Sequence, residues 1–447
     1  MNSDNRFSHD PDTLKSLAAD VLRTATRLGA TAAEVDVSEG FGQAVTVRRG
    51  EIETIEYNRD KSIGVTVYIG QRRGNAASSD FSPKALEDTV RAALTIASHT
   101  AEDDCAGLAD EDLLARDIPD LDLYHPWDLS VEAAIELARE CEAAALAVDP
   151  RIGNTEGASV HTQESQFVYG NTLGFLAGMP ASRHSLSCSV IAGRGDDMQR
   201  DDWYSMSRVP GNLDAPATVG EHAGRRSVAR LASRKIPTQR VPVLFEAPVA
   251  ASLLGHFAGA VSGGSLYRKS SFLLDALGKQ VFAPHVRVSD AGRVPRGLGS
   301  SAFDDEGVAT RDRDIVTGGV LQGYFLGSYS ARKLGMRSTG NAGGTHNLTL
   351  DSTGHDFAAM LRELGTGLLV TELLGQGINM VTGDYSRGAA GYWVENGRIA
   401  YPVEEITIAG NLKAMLAGVV AVGNDVQVRG SKQTGSILLN RMTVAGE

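Results

Sequence analysis

Asn396-Gly397 stands between "GYWVE" and "RIAYPVEEITIAG". Asn-Gly between alternating runs is the strongest short signal for a two-residue hairpin, because that turn needs positive φ at both central residues. Gly318-Gly319, between "RDIVT" and "VLQGYF", and Arg49-Gly50, between "AVTVR" and "EIETIEY", carry the same signal. Strands joined this way must run antiparallel, so the chain is committed to antiparallel sheet at both ends. Glycine supplies 50 of 447 residues, above the usual share of about 7%, and it follows no G-X-Y period, which fits many tight turns.

A chain of 447 residues is too long for one ordinary core, so two domains are expected. Leu14, Leu17, Ala18, Val21, Ala25 and Leu28 recur at helical spacing and predict a helix ending near Gly29. "AEVDVSE", the Arg49-Gly50 hairpin and "SIGVTVYIG", with Ile63, Val65, Val67 and Ile69 on one face, read as a meander of strands. Ser82-Pro83 caps a helix carrying Leu86, Val90, Leu94 and Ala97. "AEDDCAGLADEDLLARDIPDLD" reads as an exposed acidic connector, and a helix follows over 131–148. Short strands are expected over 153–207, then a helix in "TVGEHAGRRSVARLASRK". Residues 1–236 thus predict an α+β domain with an antiparallel sheet, closing near "RKIPTQRVP". Residues 237–447 predict a curved antiparallel sheet or barrel with a few helices, one of them over 357–364.

Charge and motifs exclude several function classes. With 55 acidic against 43 basic residues, the net charge of -12 opposes binding to phosphate backbones, and nucleic acid is not an expected partner. Cys105, Cys141 and Cys188 are far apart and form no CxxC, which fits a reducing compartment and no zinc knuckle. The N-terminus "MNSDNRFSHDPDTLKSL" is polar, and no segment has the roughly 18 uninterrupted apolar residues of a membrane helix. A cytoplasmic protein without a membrane partner is the expectation. "STGNAGGTHNLTL" lacks the Walker pattern, no GxGxxG opens a helix, and no G-x-S-x-G elbow occurs. Ser330 and Lys333 match S-x-x-K without the companion motifs of that enzyme class. Asp304, Asp305, Glu306, Asp384, Glu395, Glu404 and Glu405 lie mostly beside hairpin glycines and read as solvated turn residues or partners of nearby arginines.

"EAPVAASLLGHFAGAV" is helical, with Pro248 in the first turn and an apolar stripe of Val249, Leu253, Phe257 and Val261 or Ala260. Ala251, Gly255, Gly259 and Gly263 form a second stripe of small residues. An interior glycine costs about 1 kcal/mol relative to alanine, so the stripe is expected to let another backbone come close. A zinc peptidase helix needs two imidazoles about a turn apart and a glutamate beside the first. His256 stands alone, and the spacing of His285, His346 and His355 supplies no second ligand.

"AFDDEGVATRD", "LGMRSTGNAGGTHN", "LLVTELLGQGINMVTGDYSRGAAGYWVENGRIAYPVEEITIAGNL" and "AVGNDVQVRGS", read in order, resemble the TldD/PmbA family of modulators and peptidases. In its TldD branch a helix carries His-Glu-x-x-x-His, followed by a Gly-rich turn and a basic pair, with a late cysteine completing the zinc site. "GGSLYRKSS" matches the segment after that helix. Counting back from Gly264 puts Gly255 and Ala260 in the histidine slots and His256 in the glutamate slot. Sliding by one puts His256 first, with Phe257 and Val261 in the other two slots. "VRGSKQTGSILLNRM" has no cysteine, so the chain resembles the PmbA, or TldE, branch. The resemblance implies a subunit with no catalytic residue, metal or cofactor of its own, paired with a TldD-type chain that holds zinc and cuts unfolded peptides. Gly255, His256, Gly259, Gly263, Arg268 and Lys269 are the candidates for contact with substrate or partner. Two other readings stay open: an independent hydrolase using His256, Ser330, Lys333 or the late carboxylates, and a non-enzymatic peptide-binding scaffold. A homodimer is possible for the chain alone.

Overall fold

Asp10 starts the first helix by accepting a hydrogen bond from Thr13 N at 2.6 Å, with Pro11 in the first turn. The helix stops after Arg27, where Gly29 takes φ 104°. This computed structural model describes residues 6–446; residues 1–5, at the head of the polar N-terminal segment, and residue 447 lie outside it.

In chain order the first part holds α1 (Pro11–Arg27), β1 (Ala32–Arg48), β2 (Glu51–Ile69), β3 (Arg72–Ser78), α2 (Pro83–His99), α3 (Val131–Ala147), β4 (Ile152–Asn171), β5 (Leu176–Ala192), β6 (Gln199–Ser207) and α4 (Pro216–Ala229). The second part holds β7 (Gln239–Phe245), α5 (Ala247–Ala260), α6 (Gly263–Tyr267), β8 (Val288–Ala291), β9 (Arg313–Thr317), β10 (Val320–Leu321), α7 (Ser328–Lys333), β11 (Asn347–Leu350), α8 (Phe357–Leu364), β12 (Gly367–Leu374), β13 (Asp384–Glu395), β14 (Arg398–Asn411), α9 (Leu412–Ala417), β15 (Val419–Val422), β16 (Lys432–Gln433) and β17 (Ile437–Ala445). The protein is α+β with mainly antiparallel sheets.

The first sheet has the order β3-β2-β1-β4-β5-β6. On β1, Val35 and Val37 pack with α1 and α2, while Val45 and Val47 pack with the elements around α3 and α4. All four valines share one parity, so one face of the strand carries both helical pairs. The opposite face presents Phe167 and Tyr169 to Phe303 of the second part. The meander is simpler than its text: β1 and β2 are single strands of 17 and 19 residues. Likewise the expected short strands after residue 153 are two long ones, β4 and β5, with register shifts at Ile152/Asn154 and Thr155/Gly157. A bulge absorbs an extra residue without ending a strand, so breaks in alternation did not mark strand ends.

Helices α3 and α4 lie backbone to backbone. A Cβ on Gly220 would stand 2.0 Å from Cys141 O, and one on Gly224 2.7 Å from Ala145 O.

In the second part, β14-β13-β12-β7-β17 form a sheet that closes on itself through a β14–β17 pairing, with β15 added outside β17. A smaller sheet, β10-β9-β8-β11-β16, lies beside it. Helix α5 leaves the end of β7 and buries Leu253, Leu254, Phe257 and Ala260 in the main core, where Phe257 meets Phe282 edge-on at 5.0 Å. At all three turns singled out in the sequence, both central residues have positive φ: Arg49 and Gly50, Gly318 and Gly319, Asn396 and Gly397.

The acidic connector differs from its expectation. Leu108, Ala109, Leu113, Leu121 and Leu123 are buried. Ala115 N donates to Gly307 O at 2.9 Å and Ala309 N to Leu113 O at 3.0 Å. Its acids face a basic segment: Asp103 pairs with Lys333, Asp110 with Arg332, and Asp112 with Arg337. These three acids each have a cation opposite them, so charge did not imply a wholly free surface. A second junction centres on Arg208, 7% exposed. Its guanidinium donates to Gly297 O at 3.0 Å, Leu298 O at 3.1 Å and Ser182 O at 3.1 Å.

Candidate functional site

Helix α5 has one buried face and one half-buried face that carries Ser252, Gly255, His256 and Gly259. A Cβ on Gly255 would lie 3.5 Å from Lys432 Cε, and one on Gly259 3.6 Å from Met380 Cε. Both are ordinary contacts with flexible side chains. Gly263 is different: it is buried, its N–H donates to Phe325 O at 2.8 Å, and a Cβ would fall 2.2 Å from Ser330 Oγ. Of the small stripe, Gly263 is therefore fixed by packing against α7. Arg268 and Lys269 are exposed. Arg268 lies over the Tyr267 ring at 5.1 Å and donates to its hydroxyl at 3.0 Å, and Lys269 takes φ 54°.

The S-x-x-K pair is divided between other partners. Ser330 Oγ donates to Gly327 O at 3.0 Å, and Lys333 Nζ is held by Asp103 at 2.8 Å. That hydrogen bond raises the lysine pKa, which keeps the amine charged and unsuited to act as a base.

Within the acidic run Asp305 is exposed, as a turn residue should be, but Asp304 is not. Asp304 is 3% exposed and accepts from Glu306 N at 3.0 Å, Val308 N at 2.9 Å and Ala342 N at 2.9 Å. Burial pushes its pKa up to about 7, against the pull of these donors. The loop it braces borders a cavity of about 690 Å³ between the two parts, also lined by Glu34, Asp36, Arg73 and His346. Within it the Glu34 carboxylate takes hydrogen bonds from Tyr68 and Tyr169, at 3.0 and 2.8 Å. Asp304 and Glu34 are thus partnered inside the chain.

His256 lies against the edge of Tyr385, with ring centroids 6.1 Å apart. Its Nε2 and the Tyr385 hydroxyl are both buried without a hydrogen-bond partner. Burial, and then the charge of Arg387, lower the pKa of His256. The residues present do not fit zinc. A zinc site collects imidazole, carboxylate or thiolate ligands, whereas His256 faces a phenol and a guanidinium. Among the described residues no group of three or more His, Cys, Asp or Glu is placed to hold an ion.

The lowered pKa has a sign that can be measured. As pH falls below the ordinary imidazole value of 6.5, the unfolded chain takes up the proton before the folded chain does. The wild type therefore loses stability relative to His256→Gln between pH 7.5 and 5.5, and the loss levels off below the folded pKa. Melting temperatures of the two proteins across that range check this. A wild-type advantage that grows toward pH 5.5 would mean that the imidazole is charged and paired.

One turn before His256 on α5, Ser252 borders a second cavity, of about 340 Å³, between β6 and α4 on one side and α5, β12 and β13 on the other. Most arginines there are paired. Arg226 binds Asp201 at 3.0 Å and Glu246 at 2.9 Å, Arg230 binds Glu372 at 2.5 Å, and Arg200 binds Glu156 at 3.0 Å. Arg387 and Arg429 also line it. Arg429 stacks on Trp203 at 3.9 Å and on Tyr204 at 4.2 Å. Neither residue, nor Tyr385, was singled out in the sequence, because an isolated arginine reads as a solvated charge.

Comparison with known proteins places this geometry in a family. Three family profiles match: PmbA/TldA metallopeptidase domain 1 over residues 33–97, the central domain over 124–231 and the C-terminal domain over 238–446. The chain is 52% identical to the metalloprotease PmbA of Escherichia coli, over 93% of this chain and 92% of that one. It is 50% identical to a metalloprotease PmbA homolog of Haemophilus influenzae, over 97% and 96% of the two chains. A TldD homolog from the same organism is 24% identical over 81% of this chain and 79% of its own. Among solved structures, a candidate modulator of DNA gyrase from Bacteroides thetaiotaomicron superposes with a TM-score of 0.92 at 26% identity, covering 98% of this chain and 99% of that one.

Proposed function

Since the chain is a PmbA-type member of the TldD/PmbA metallopeptidase family, we propose that it is the subunit of a two-chain peptidase that contributes no zinc ligands, its TldD-type partner holding the metal. The observation that carries this reading is the setting of His256. The helix position that resembles the family's metal motif holds one imidazole beside Tyr385 and Arg387, and a fixed cation there repels a second one. One organism, Haemophilus influenzae, has both a PmbA homolog and a TldD homolog, as a paired enzyme requires. What this chain's own residues supply is half of an enclosure. Its strands offer backbone groups to an extended peptide without selecting side chains, which suits unfolded substrates. Among the described residues no helix is long and apolar enough to cross a membrane. A cytoplasmic complex is part of the proposed reading.

The test is a metal analysis and a casein-type assay on the purified chain, alone and with a TldD-type chain. The expected result is no stoichiometric zinc and no proteolysis alone, with cleavage and one zinc per pair after mixing. Proteolysis by the isolated chain, or a stoichiometric ion bound at His256, would overturn the reading.

A further inference from the structure

We propose that the cavity bordered by Arg387 and Arg429 is a binding site for a peptide carboxylate. The argument begins with the pairing of charges around it. Arg200, Arg226 and Arg230 each have a carboxylate within hydrogen-bond distance. Among the described residues, Arg387 and Arg429 have no ion pair within 4 Å, and Arg387 Nε and Arg429 Nη2 are buried without a hydrogen-bond partner. Asp202, exposed at the rim, lies within the field of Arg429 without forming an ion pair with it.

Buried polar groups are almost always paired, so each of these buried N–H groups calls for an acceptor. Two half-buried guanidiniums on one cavity, each with one buried N–H that lacks a partner, are explained together by one oxyanion. The Arg429 guanidinium carbon lies 3.9 Å from the Trp203 ring centroid and 4.2 Å from that of Tyr204, contacts that restrain its fork for a planar, two-point ligand. Burial lowers the pKa of Arg429, the direction expected of a cation that lacks its counter-ion. The volume of about 340 Å³ admits a carboxylate and the residue carrying it. That the carrier is a peptide rests on the peptidase reading; the anion site rests on the arginines alone.

Calorimetric titration of the purified full-length chain, with no partner and no metal, tests the site apart from the peptidase reading. The probes are N-acetyl-trialanine as the free acid, the same peptide as its C-terminal amide, N-acetyl-Ala-Glu-Ala-amide and inorganic phosphate. The free acid is expected to bind and its amide not to. Arg387→Gln and Arg429→Gln should each weaken binding about tenfold or more, as loss of a charge-assisted pair does. Should Arg387→Gln unfold the chain, Arg387→Lys, which keeps the charge and loses the fork, is expected to weaken binding as well. Binding of the glutamate peptide alongside the free acid supports the site as a reader of any carboxylate, and failure of that peptide assigns it to chain termini. Equal binding of acid and amide, binding of phosphate alone, binding by none of the probes, or variants that bind like the wild type would each overturn the proposal.

Discussion

Replacing Arg208 with alanine is expected to cost about 2–4 kcal/mol, because it removes charge-assisted hydrogen bonds and leaves carbonyls unsatisfied, at about 1–3 kcal/mol for each one that stays buried. Its guanidinium holds three carbonyls, Ser182 O on β5 and Gly297 O and Leu298 O in the second part. Alanine leaves all three without that donor in a place water hardly reaches. No carboxylate lies among these partners, and burial lowers the arginine pKa to about 10, so the charge itself is a cost that the three hydrogen bonds outweigh. Arg208→Met separates the two effects, since it removes the charge, keeps much of the length and satisfies no carbonyl. The expected stability order is Arg, then Lys, then Met close to Ala. Urea denaturation gives the energies, and limited proteolysis between the two parts reports whether they still dock. A methionine variant as stable as the wild type would show that the hydrogen bonds contribute nothing net.

Gly220→Ala is expected to lose about 2–4 kcal/mol, although alanine is the better helix former by about 1 kcal/mol. The new methyl would sit 2.0 Å from Cys141 O and 3.0 Å from Ala145 N. Both are backbone atoms of α3, and neither can swing away. Relief requires α4 to move off α3 by more than an ångström, through a layer of Ala138, Ala145, Val219 and Ala223 that is 0% exposed. Gly255→Ala is the control. There the methyl meets only the flexible end of Lys432 at 3.5 Å, so propensity should decide and the protein should gain up to about 1 kcal/mol. Thermal melts of the two variants with opposite signs would bear this out. A stabilised Gly220→Ala would mean that the helices separate at little cost.

The sequence was most informative where a local rule sufficed. The Ser82 cap starts α2, and the three two-residue turns fold as their residues demand. It was least informative where a residue's role depends on a partner far along the chain. Asp110 and Asp112 look solvated until Arg332 and Arg337 arrive more than 200 positions later. Asp304 lies in an acidic run that ends at Gly307, which suggests an exposed turn, yet it binds backbone at Ala342. Strand length was misjudged for a different reason: the first eleven residues of β2 are exposed, so no core imposes a face on them. The candidate site was half visible. His256 could be found from the motif it fails to complete, but Tyr385 and Arg387 are brought to it by β13, and Arg429 by the loop after β15. Nothing in periodicity or spacing links those positions.

The closed ring of the second part bears on how the polypeptide is made. Strand β7 opens that ring and lies between β12 and β17, so Val243 pairs with Leu368 on one side and Leu439 on the other. During synthesis Val243 emerges first and has no neighbour on the β17 side until Leu439 leaves the exit tunnel. Until then Val243, Leu244 and Phe245, all 0% exposed in the finished fold, present an open apolar edge that invites pairing with other nascent chains. Translation speed and chaperone supply should therefore govern the yield of this half more than that of the first, whose neighbouring strands β1, β2 and β3 follow one another from the ribosome.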